Sequence, residues 1–257
     1  MNERRRNAVA SLLFWTGRRT RLRTGRRAGS RAALPAGAAR HPAPWRAAWR
    51  ALVAAARQTV ADGLVVGTSG NLSVRVGDAI LVTPSGVPYD RLRPADLLAV
   101  DLHGRRLAGA LEPTSELPLH LAVYRSTGAR AVVHTHATHA TAVSTLVDEV
   151  PLIHYMAAAM GGPIRVADYA TYGSPELADA ALAALADRSA CLLRNHGTLV
   201  HGRDLRQAMD HTAQLEWMCR VWLAAAAIPG REPTLLTRDQ LAEVAERLRD
   251  YGNPGRT

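Results

Sequence analysis

Apolar positions along the chain follow two periods, one typical of helices and one typical of short strands. Large apolar residues recur every three or four positions between Trp45 and Val60 and are followed by Gly63, which predicts a helix that ends there. Two apolar runs flank the turn Gly77-Asp78, which predicts a β-hairpin. Further helices are predicted from Leu117 to near Gly128, from about Thr138, and over 176–186, 204–227 and 240–249, and further strands over 97–102, 131–136 and 190–196.

Hairpin-linked short strands mixed with helices favour a single α/β domain. We expect a central, largely antiparallel sheet that is covered by helices on both sides. The helical pattern begins near Pro44, and the stretch before it lacks the apolar periodicity of a packed element. We therefore expect residues 1–44 to be an Arg-rich disordered extension and residues 45–257 to form the folded domain.

Two histidines close the apolar run over 131–136. His134 and His136 are two positions apart, so on a strand both side chains point to the same face and both imidazoles can reach one ion. Neutral imidazole is a typical ligand of Zn²⁺. A single histidine at a strand end is more often structural, but a second apolar run also ends in a histidine, His196. Three histidines at strand ends favour a catalytic zinc with an open fourth position.

Charge is distributed unevenly along the chain. The formal net charge is +10, but residues 1–50 contain 13 arginines and one acidic residue, so they carry +12 and the remainder carries −2. The body of the chain is therefore not basic, which argues against a nucleic-acid-binding face. The sequence still allows the alternative that the basic N-terminal segment contacts RNA or an acidic surface. No stretch reaches the roughly 18–20 apolar residues of a membrane span.

Two residue types limit the chemistry. The sequence contains no lysine, so all 32 basic residues are Arg, and a Schiff-base mechanism, which needs an amine side chain, is excluded. Carbon–carbon chemistry on a carbonyl substrate would then need a metal or another electron sink. The two cysteines, Cys191 and Cys219, lie in apolar contexts without CxxC spacing, which predicts buried thiols in a reducing, cytoplasmic compartment.

Three short loops could bind an anion through backbone N–H groups or hydroxyls: Gly70-Asn71, Ser85-Gly86 and Thr114-Ser115. The last pair precedes a predicted helix, whose N-terminus favours phosphate, although hydroxyl residues there are also ordinary helix caps. Glu116 follows directly and is a candidate general base. Zinc bound to the oxygens of a ketose would acidify the adjacent carbon, and a carboxylate within reach would then move the proton.

These motifs resemble the class II aldolase/adducin family over about residues 45–251. The resemblance is carried by the segments 67–71, 83–86, 113–116, 134–136 and 195–197. Within the family, the stretches 153–162 and 169–173 are most similar to the L-fuculose-1-phosphate aldolases. The resemblance implies zinc-dependent cleavage of a ketose 1-phosphate to dihydroxyacetone phosphate and a small aldehyde such as lactaldehyde.

The resemblance also implies a role for each matching residue. One Zn²⁺ per chain would be bound by four side chains: His134, His136, His196 and Glu116. Glu116 would in addition act as the acid/base. The substrate phosphate would be held by six residues: Gly70, Asn71, Ser85, Gly86, Thr114 and Ser115.

Two tyrosines receive roles by the same resemblance. Tyr155 would donate a proton to the aldehyde oxygen in the site of a neighbouring subunit, within a cyclic homotetramer. Tyr251 would assist stereocontrol from the C-terminal tail, although the sequence after Gly252 departs from the family pattern and leaves this role open. Thr114 stands where a serine is common, and this change keeps the hydroxyl.

Alternatives remain at the level of the sequence. His120, His139 and His154 compete as extra metal ligands, and His211 is expected in the core or at an interface. Within the family, a ribulose-phosphate 4-epimerase and a methylthioribulose-1-phosphate dehydratase use related chemistry. A non-catalytic, adducin-like structural module is also possible, but such a module would be expected to lack the three histidines that this chain retains.

Overall fold

The structure, a computed structural model, describes residues 41–250. The predicted extension up to residue 40 and Tyr251 therefore lie outside the described residues. The first described helix, α1 (Ala43–Ala61), begins next to the predicted boundary at residues 44 and 45. The disordered extension itself stays a prediction.

Within residues 41–250, eight strands form one sheet. They are β1 (Asn71–Val76), β2 (Ala79–Val82), β3 (Ala99–Val100), β4 (Arg106–Ala108), β5 (Ala131–Thr135), β6 (Val166–Ala167), β7 (Ala190–Leu193) and β8 (Gly197–Gly202). Their spatial order is β4-β3-β2-β1-β5-β8-β7-β6. In the described part of the chain, only the pairing of β6 with β7 is parallel. The predicted largely antiparallel sheet is confirmed.

In the part of the chain that the structure describes, five more helices follow α1. They are α2 (Leu117–Ser126), α3 (Thr138–Ser144), α4 (Pro175–Ala184), α5 (Leu205–Ala226) and α6 (Arg238–Asp250), and short 3₁₀ helices span Tyr89–Arg91, Pro94–Asp96 and Tyr155–Met160. Every helix that the periodicity predicts is present. No helix within residues 41–250 is both long enough and apolar enough to cross a membrane.

The alternation of side chains along the central strands divides the core between the two faces of the sheet. On β5, Val132 packs with α2 and α4, whereas Ala131 and Val133 pack with α1 on the opposite face of the sheet. On the neighbouring strand β8, Val200 joins a core built with α3 and α5. Because successive strand residues point to opposite faces, both faces are apolar and both require a helical cover. The predicted two-sided cover is confirmed.

Three strands are absent from the sequence prediction: β4, β6 and β8. The first two have only three and two residues, too few for a period to be recognised. The third, β8, begins at Gly197, a residue type that commonly ends a predicted strand. The predicted strand over 97–102 shortens to Ala99–Val100.

Gly197 allows β8 to approach β5 very closely. A Cβ atom at this position would lie 2.0 Å from the backbone oxygen of Thr135. Thr135 and Thr198 are register partners across the two strands, and their hydroxyls are hydrogen-bonded at 2.7 Å. A glycine is therefore required here by the approach of a neighbouring backbone, and this approach brings the turn before β8 next to the end of β5.

We expect Gly197→Ala to destabilise the protein by about 1–3 kcal/mol or more, because the new methyl group must push two paired backbones apart. Denaturant unfolding measures this effect. Gly128→Ala is the matched control, since a Cβ there would have nothing within 4 Å. Equal stability of Gly197→Ala and the wild type would contradict the packing argument.

Candidate metal centre and active site

Four side chains converge at the end of β5. One potential ligand atom from each of Glu116, His134, His136 and His196 lies within 4.8 Å of the corresponding atom of the other three. The Glu116 Oε2 atom is 3.0 Å from His134 Nε2, and its Oε1 atom is 3.5 Å from His196 Nε2. His136 Nε2 lies 3.0 Å from His134 Nε2. The two-residue spacing of the first histidine pair does bring both imidazoles to one point, as predicted.

Three parts of the fold position the four side chains of this cluster, and His136 directly follows β5. His134 is the fourth residue of β5 and lies on the face that α2 covers, and Glu116 directly precedes α2. His196 lies in the turn between β7 and β8. In this turn Asn195 has a φ of 57°, a left-handed conformation that asparagine adopts more readily than most residues. The N–H group of Asn195 is held by the hydroxyl of Ser144 at 3.0 Å.

A hydrogen bond on the side of the ring away from the cluster fixes the orientation of His134. Its Nδ1 atom lies 2.8 Å from the backbone oxygen of Thr198, which can only accept, so Nδ1 donates. The Nε2 atom is then unprotonated in the neutral ring and directs its lone pair at the cluster. A carbonyl partner of this kind is a common second partner of a metal-binding histidine.

Burial and charge prepare the cluster for a cation. Burial, and then the neighbouring His134, lower the pKa of His136 and of His196 to about 4, so both rings are neutral at pH 7. Burial acts to raise the pKa of Glu116, but His134 and the amide of Asn71 lower it by more, so the carboxylate stays ionised. Neutral imidazoles and an ionised carboxylate are the protonation states that bind metals.

A further observation indicates that these four residues fit a metal. Among the described residues, Glu116 Oε1 is the buried side-chain atom that has no hydrogen-bond partner. A buried acceptor without a partner is costly, and a cation bound by the three imidazoles would satisfy it. The four residues therefore fit a divalent metal, with three nitrogen ligands and one oxygen ligand.

A cavity of about 370 Å³ opens in front of the cluster. His136, His196 and Glu116 form part of its wall. All six residues predicted to hold phosphate also line it: Gly70, Asn71, Ser85, Gly86, Thr114 and Ser115. Three loops that are distant in sequence therefore meet beside the metal cluster, in one space that a small sugar phosphate can occupy.

Backbone hydrogen bonds hold these loops together. Ser85 N–H donates to the oxygen of Glu112 at 3.0 Å, and Thr114 N–H donates to that of Thr83 at 3.2 Å. The Tyr89 hydroxyl donates to the oxygen of Gly70 at 2.8 Å. None of the described residues that line the cavity is an arginine, so an anion would be bound by amides and hydroxyls.

Two of the predicted phosphate residues make additional contacts. The Asn71 amide donates to Glu116 Oε2 at 2.8 Å, so this side chain faces the carboxylate. Thr114 Oγ1 accepts a hydrogen bond from Glu116 N–H at 3.3 Å, and Glu116 itself is the N-cap of α2 without a side-chain capping bond. The hydroxyl pair before the helix therefore does not provide its N-cap residue.

The cavity also includes residues that the sequence analysis did not single out. These are Thr68, Ser69, Pro84, Tyr169, Ala170, Tyr172 and Asn195. Tyr169 and Tyr172 lie in a segment identified only by its resemblance to relatives. A pair of tyrosines three positions apart, in a stretch that belongs to no strand or helix, is the signal that could have indicated them.

The competing histidines lie outside the cluster. His139 contacts Glu216 at 2.6 Å, and its backbone N–H is bound by the same carboxylate. His154 Nδ1 accepts from Met156 N–H. His120 is fully buried beneath Asn71. His211, expected in the core or at an interface, is buried, with an exposure of 8%.

Tyr155 is separated from the cavity of its own chain. It begins the 3₁₀ helix Tyr155–Met160, is 47% exposed, and does not line the cavity. Its ring stacks on His154 at a centroid distance of 4.3 Å, and His154 packs edge-on against Trp217. This position is compatible with a role toward another chain, which stays a prediction.

Comparison with known proteins agrees with this geometry. Residues 50–223 match the family model described as "Class II Aldolase and Adducin N-terminal domain". The chain belongs to the class II aldolase and adducin family. Enzymes of this family that are aldolases depend on a metal, and the cluster of three histidines and Glu116 fits that requirement.

Three relatives show how similar the chain is to named aldolases. It is 41% identical over 206 residues to a 5-methylthioribulose-1-phosphate/5-deoxyribulose-1-phosphate aldolase of Rhodospirillum rubrum, covering 79% of this chain and 91% of the relative. It is 41% identical over 192 residues to the L-fuculose phosphate aldolase of Escherichia coli K12, covering 74% and 88%. A solved L-fuculose 1-phosphate aldolase superposes with a TM-score of 0.75 at 32% identity, covering 79% and 96%. The predicted enzyme class, a carbon–carbon lyase of the aldolase type, is confirmed.

We expect the purified protein to bind about one divalent metal ion per chain, and His134→Ala/His136→Ala to lose it, because two of the four converging ligands are removed. Elemental analysis after gel filtration measures the metal content. His103→Ala, which changes an exposed histidine outside the cluster, should retain the metal. Full metal retention in the double variant would refute the assignment.

Proposed function

We propose that this protein is a zinc-dependent aldolase. It cleaves a ketose 1-phosphate that resembles L-fuculose 1-phosphate into dihydroxyacetone phosphate and a small aldehyde such as lactaldehyde. The observation that carries this proposal is the shared cavity, in which Glu116 and two cluster histidines face six amide- and hydroxyl-bearing residues. The end of the cavity formed by the loops suits a phosphate, and the end formed by the cluster suits a carbonyl group bound to a metal.

Zinc is the metal that best matches the donor set. Three imidazole nitrogens and one carboxylate form a typical catalytic zinc site when the carboxylate can give way to substrate. Zinc bound at this position would polarise the ketose carbonyl and stabilise the charge that develops when the carbon–carbon bond breaks.

Residues of the protein bind the phosphate and transfer the protons. The loops at Gly70, Ser85 and Ser115 hold the phosphate by neutral donors, which orients the sugar chain toward the cluster. Cleavage breaks the bond between the third and fourth carbons and leaves its electron pair on the third carbon. In the synthetic direction the ionised carboxylate of Glu116 removes a proton from the third carbon, and in cleavage the protonated Glu116 returns it to that carbon.

Tyr155 handles the second proton transfer. Cleavage converts the hydroxyl of the fourth carbon into the aldehyde, so a base must accept this hydroxyl proton. In synthesis the Tyr155 hydroxyl donates this proton to the aldehyde oxygen, and in cleavage the deprotonated Tyr155 accepts it. Exchange with solvent carries one proton from Glu116 to Tyr155 after synthesis and in the opposite direction before cleavage. Tyr155 is exposed and does not line the cavity of its own chain, which supports the proposal that it serves the site of a neighbouring subunit in a cyclic homotetramer.

A second substrate is favoured by a specific observation. The relative from Rhodospirillum rubrum is named for 5-methylthioribulose 1-phosphate and 5-deoxyribulose 1-phosphate, at the same 41% identity as the fuculose-phosphate enzyme. These ketose phosphates would use the same phosphate loops and the same metal. The three relatives described above are all named as aldolases.

The test is an aldehyde-release assay over a panel of phosphorylated ketoses, with the zinc-loaded protein. The panel contains the 1-phosphates of L-fuculose, L-rhamnulose, 5-deoxyribulose and 5-methylthioribulose, together with ribulose 5-phosphate. Release of dihydroxyacetone phosphate from at least one 1-phosphate, with loss of activity on chelation, supports the proposal. Epimerisation or dehydration without cleavage would overturn it.

We expect Glu116→Gln to lower kcat by about 10²–10⁴-fold, because an amide cannot exchange the substrate proton. Turnover of the zinc-reconstituted variant measures the effect, with the metal content determined on the same sample. Glu112→Gln is the matched control, since it makes the same change at an exposed carboxylate outside the cavity lining. Near-normal turnover in Glu116→Gln would remove this residue from the mechanism.

We expect a mixture of Glu116→Gln and Tyr155→Phe chains to recover part of the activity after subunit exchange. Hybrid assemblies would contain sites that combine an intact Glu116 from one chain with an intact Tyr155 from the next. Activity is measured before and after exchange, and exchange is verified by mass spectrometry. Complete exchange without recovery would place Tyr155 in its own chain's site or outside catalysis.

A further inference from the structure

A continuous chain of hydrogen bonds lies beneath the carboxylate of Glu116. The Asn71 amide donates to Glu116 Oε2 at 2.8 Å, and Asn71 Oδ1 contacts His120 Nε2. His120 Nδ1 lies 2.6 Å from Ser73 Oγ, which lies 2.8 Å from the Tyr124 hydroxyl. All five side chains are at most 5% exposed.

This series of hydrogen bonds forms because the spacing of the polar residues along α2 matches their spacing along β1. Glu116, His120 and Tyr124 are four residues apart along the start of α2, and Asn71 and Ser73 are two residues apart on β1. Four helical residues rise about 6 Å and two strand residues about 6.7 Å, so side chains of the two elements can alternate along their common direction. Asn71 and Ser73 lie on the face of the sheet that α2 covers.

The charge of Glu116 sets the direction of every hydrogen bond. An ionised carboxylate only accepts, so Asn71 turns its NH₂ group to Glu116 and its oxygen to His120. His120 Nε2 must then carry the proton, and its bare Nδ1 accepts from the hydroxyl of Ser73. Burial lowers the pKa of His120 to about 3 and raises that of Tyr124, so His120 is neutral and Tyr124 remains a donor to Ser73.

We propose that His120 is a positioning residue of the active site. Its Nε2–H group holds the Asn71 amide in the single orientation that donates to Glu116 Oε2. The second carboxylate oxygen, Oε1, is thereby left directed at His196 and the cavity. This inference rests on the proposed role of Glu116 as acid/base, and it adds the device that orients this carboxylate.

The arrangement predicts one tautomer of one buried histidine. In the zinc-loaded wild type, a long-range ¹H–¹⁵N spectrum should show His120 with a protonated Nε2 and an unprotonated Nδ1 at pH 7. The signal is assigned by its absence from the spectrum of His120→Gln. A protonated Nδ1 would reverse the whole chain of hydrogen bonds and overturn the proposal without any measurement of activity.

Two substitutions separate positioning from a merely structural role. His120→Leu removes both hydrogen bonds and frees the Asn71 amide to rotate, so kcat should fall about 10–100-fold, as is typical when an outer partner of a metal site is lost. His120→Gln retains an N–H donor toward Asn71 and should restore most of this kcat. Stability is measured in parallel, because a structural role would make kcat follow stability in both variants. His211→Leu controls for the loss of a buried imidazole elsewhere.

A double-mutant cycle tests whether His120 acts through Asn71. If it does, His120→Leu should cause no further loss of kcat in an Asn71→Ala background, because the amide that it orients is already absent. Losses that multiply would mean that His120 acts independently of Asn71, which contradicts the proposal. Unchanged kcat in His120→Leu alone would also contradict it.

The tests distinguish failure of this inference from failure of the proposed function. If Glu116→Gln retains full turnover, the proposed acid/base role fails, whatever the tautomer of His120. If Glu116→Gln loses turnover while His120→Leu does not, the acid/base role stands and the positioning role alone is rejected.

Discussion

The need to stabilise a buried carboxylate governs the arrangement of this site. Glu116 is 5% exposed, and an isolated charge at such a position would be prohibitively costly. The Asn71 amide at the start of β1 donates to it, and a cation bound by His134 on β5 and by His196 in the turn before β8 would neutralise its charge. Three strands and the N-terminus of α2 must therefore meet at one point. The order of the central strands, β1-β5-β8, is the arrangement that makes this meeting possible.

The parts of the site that depend on local geometry could be predicted from the sequence. The spacing of His134 and His136 fixes their common face on any strand, and the hairpin at Gly77-Asp78 and the helix after Glu116 follow from short patterns. The approach of His196 could not be predicted in the same way. It depends on the pairing of β5 with β8 across more than sixty residues, and on a glycine that sequence rules treat as a strand terminator.

The buried hydrogen-bond chain shows a different limit of sequence reasoning. The four-residue spacing of Glu116 and His120 correctly indicates a shared helix face, and the same spacing makes His120 a candidate metal ligand. Its partners, Asn71 and Ser73, are more than forty residues away on β1. Polar side chains at alternate strand positions are normally expected to lie on the solvent-exposed face of a sheet. Only the packing of α2 over this face reveals that they are buried and paired.

The matched rise of α2 and β1 also limits how this part of the chain can vary in length. Substitutions can be absorbed at a single position, but one inserted or deleted residue within the first turns of α2 would rotate all later side chains by about 100° around the helix axis. His120 and Tyr124 would then leave the sheet face together. A one-residue shift in β1 would likewise turn Asn71 and Ser73 to the opposite face. Length changes in homologues and in engineered variants should therefore be confined to the loops that flank these two elements.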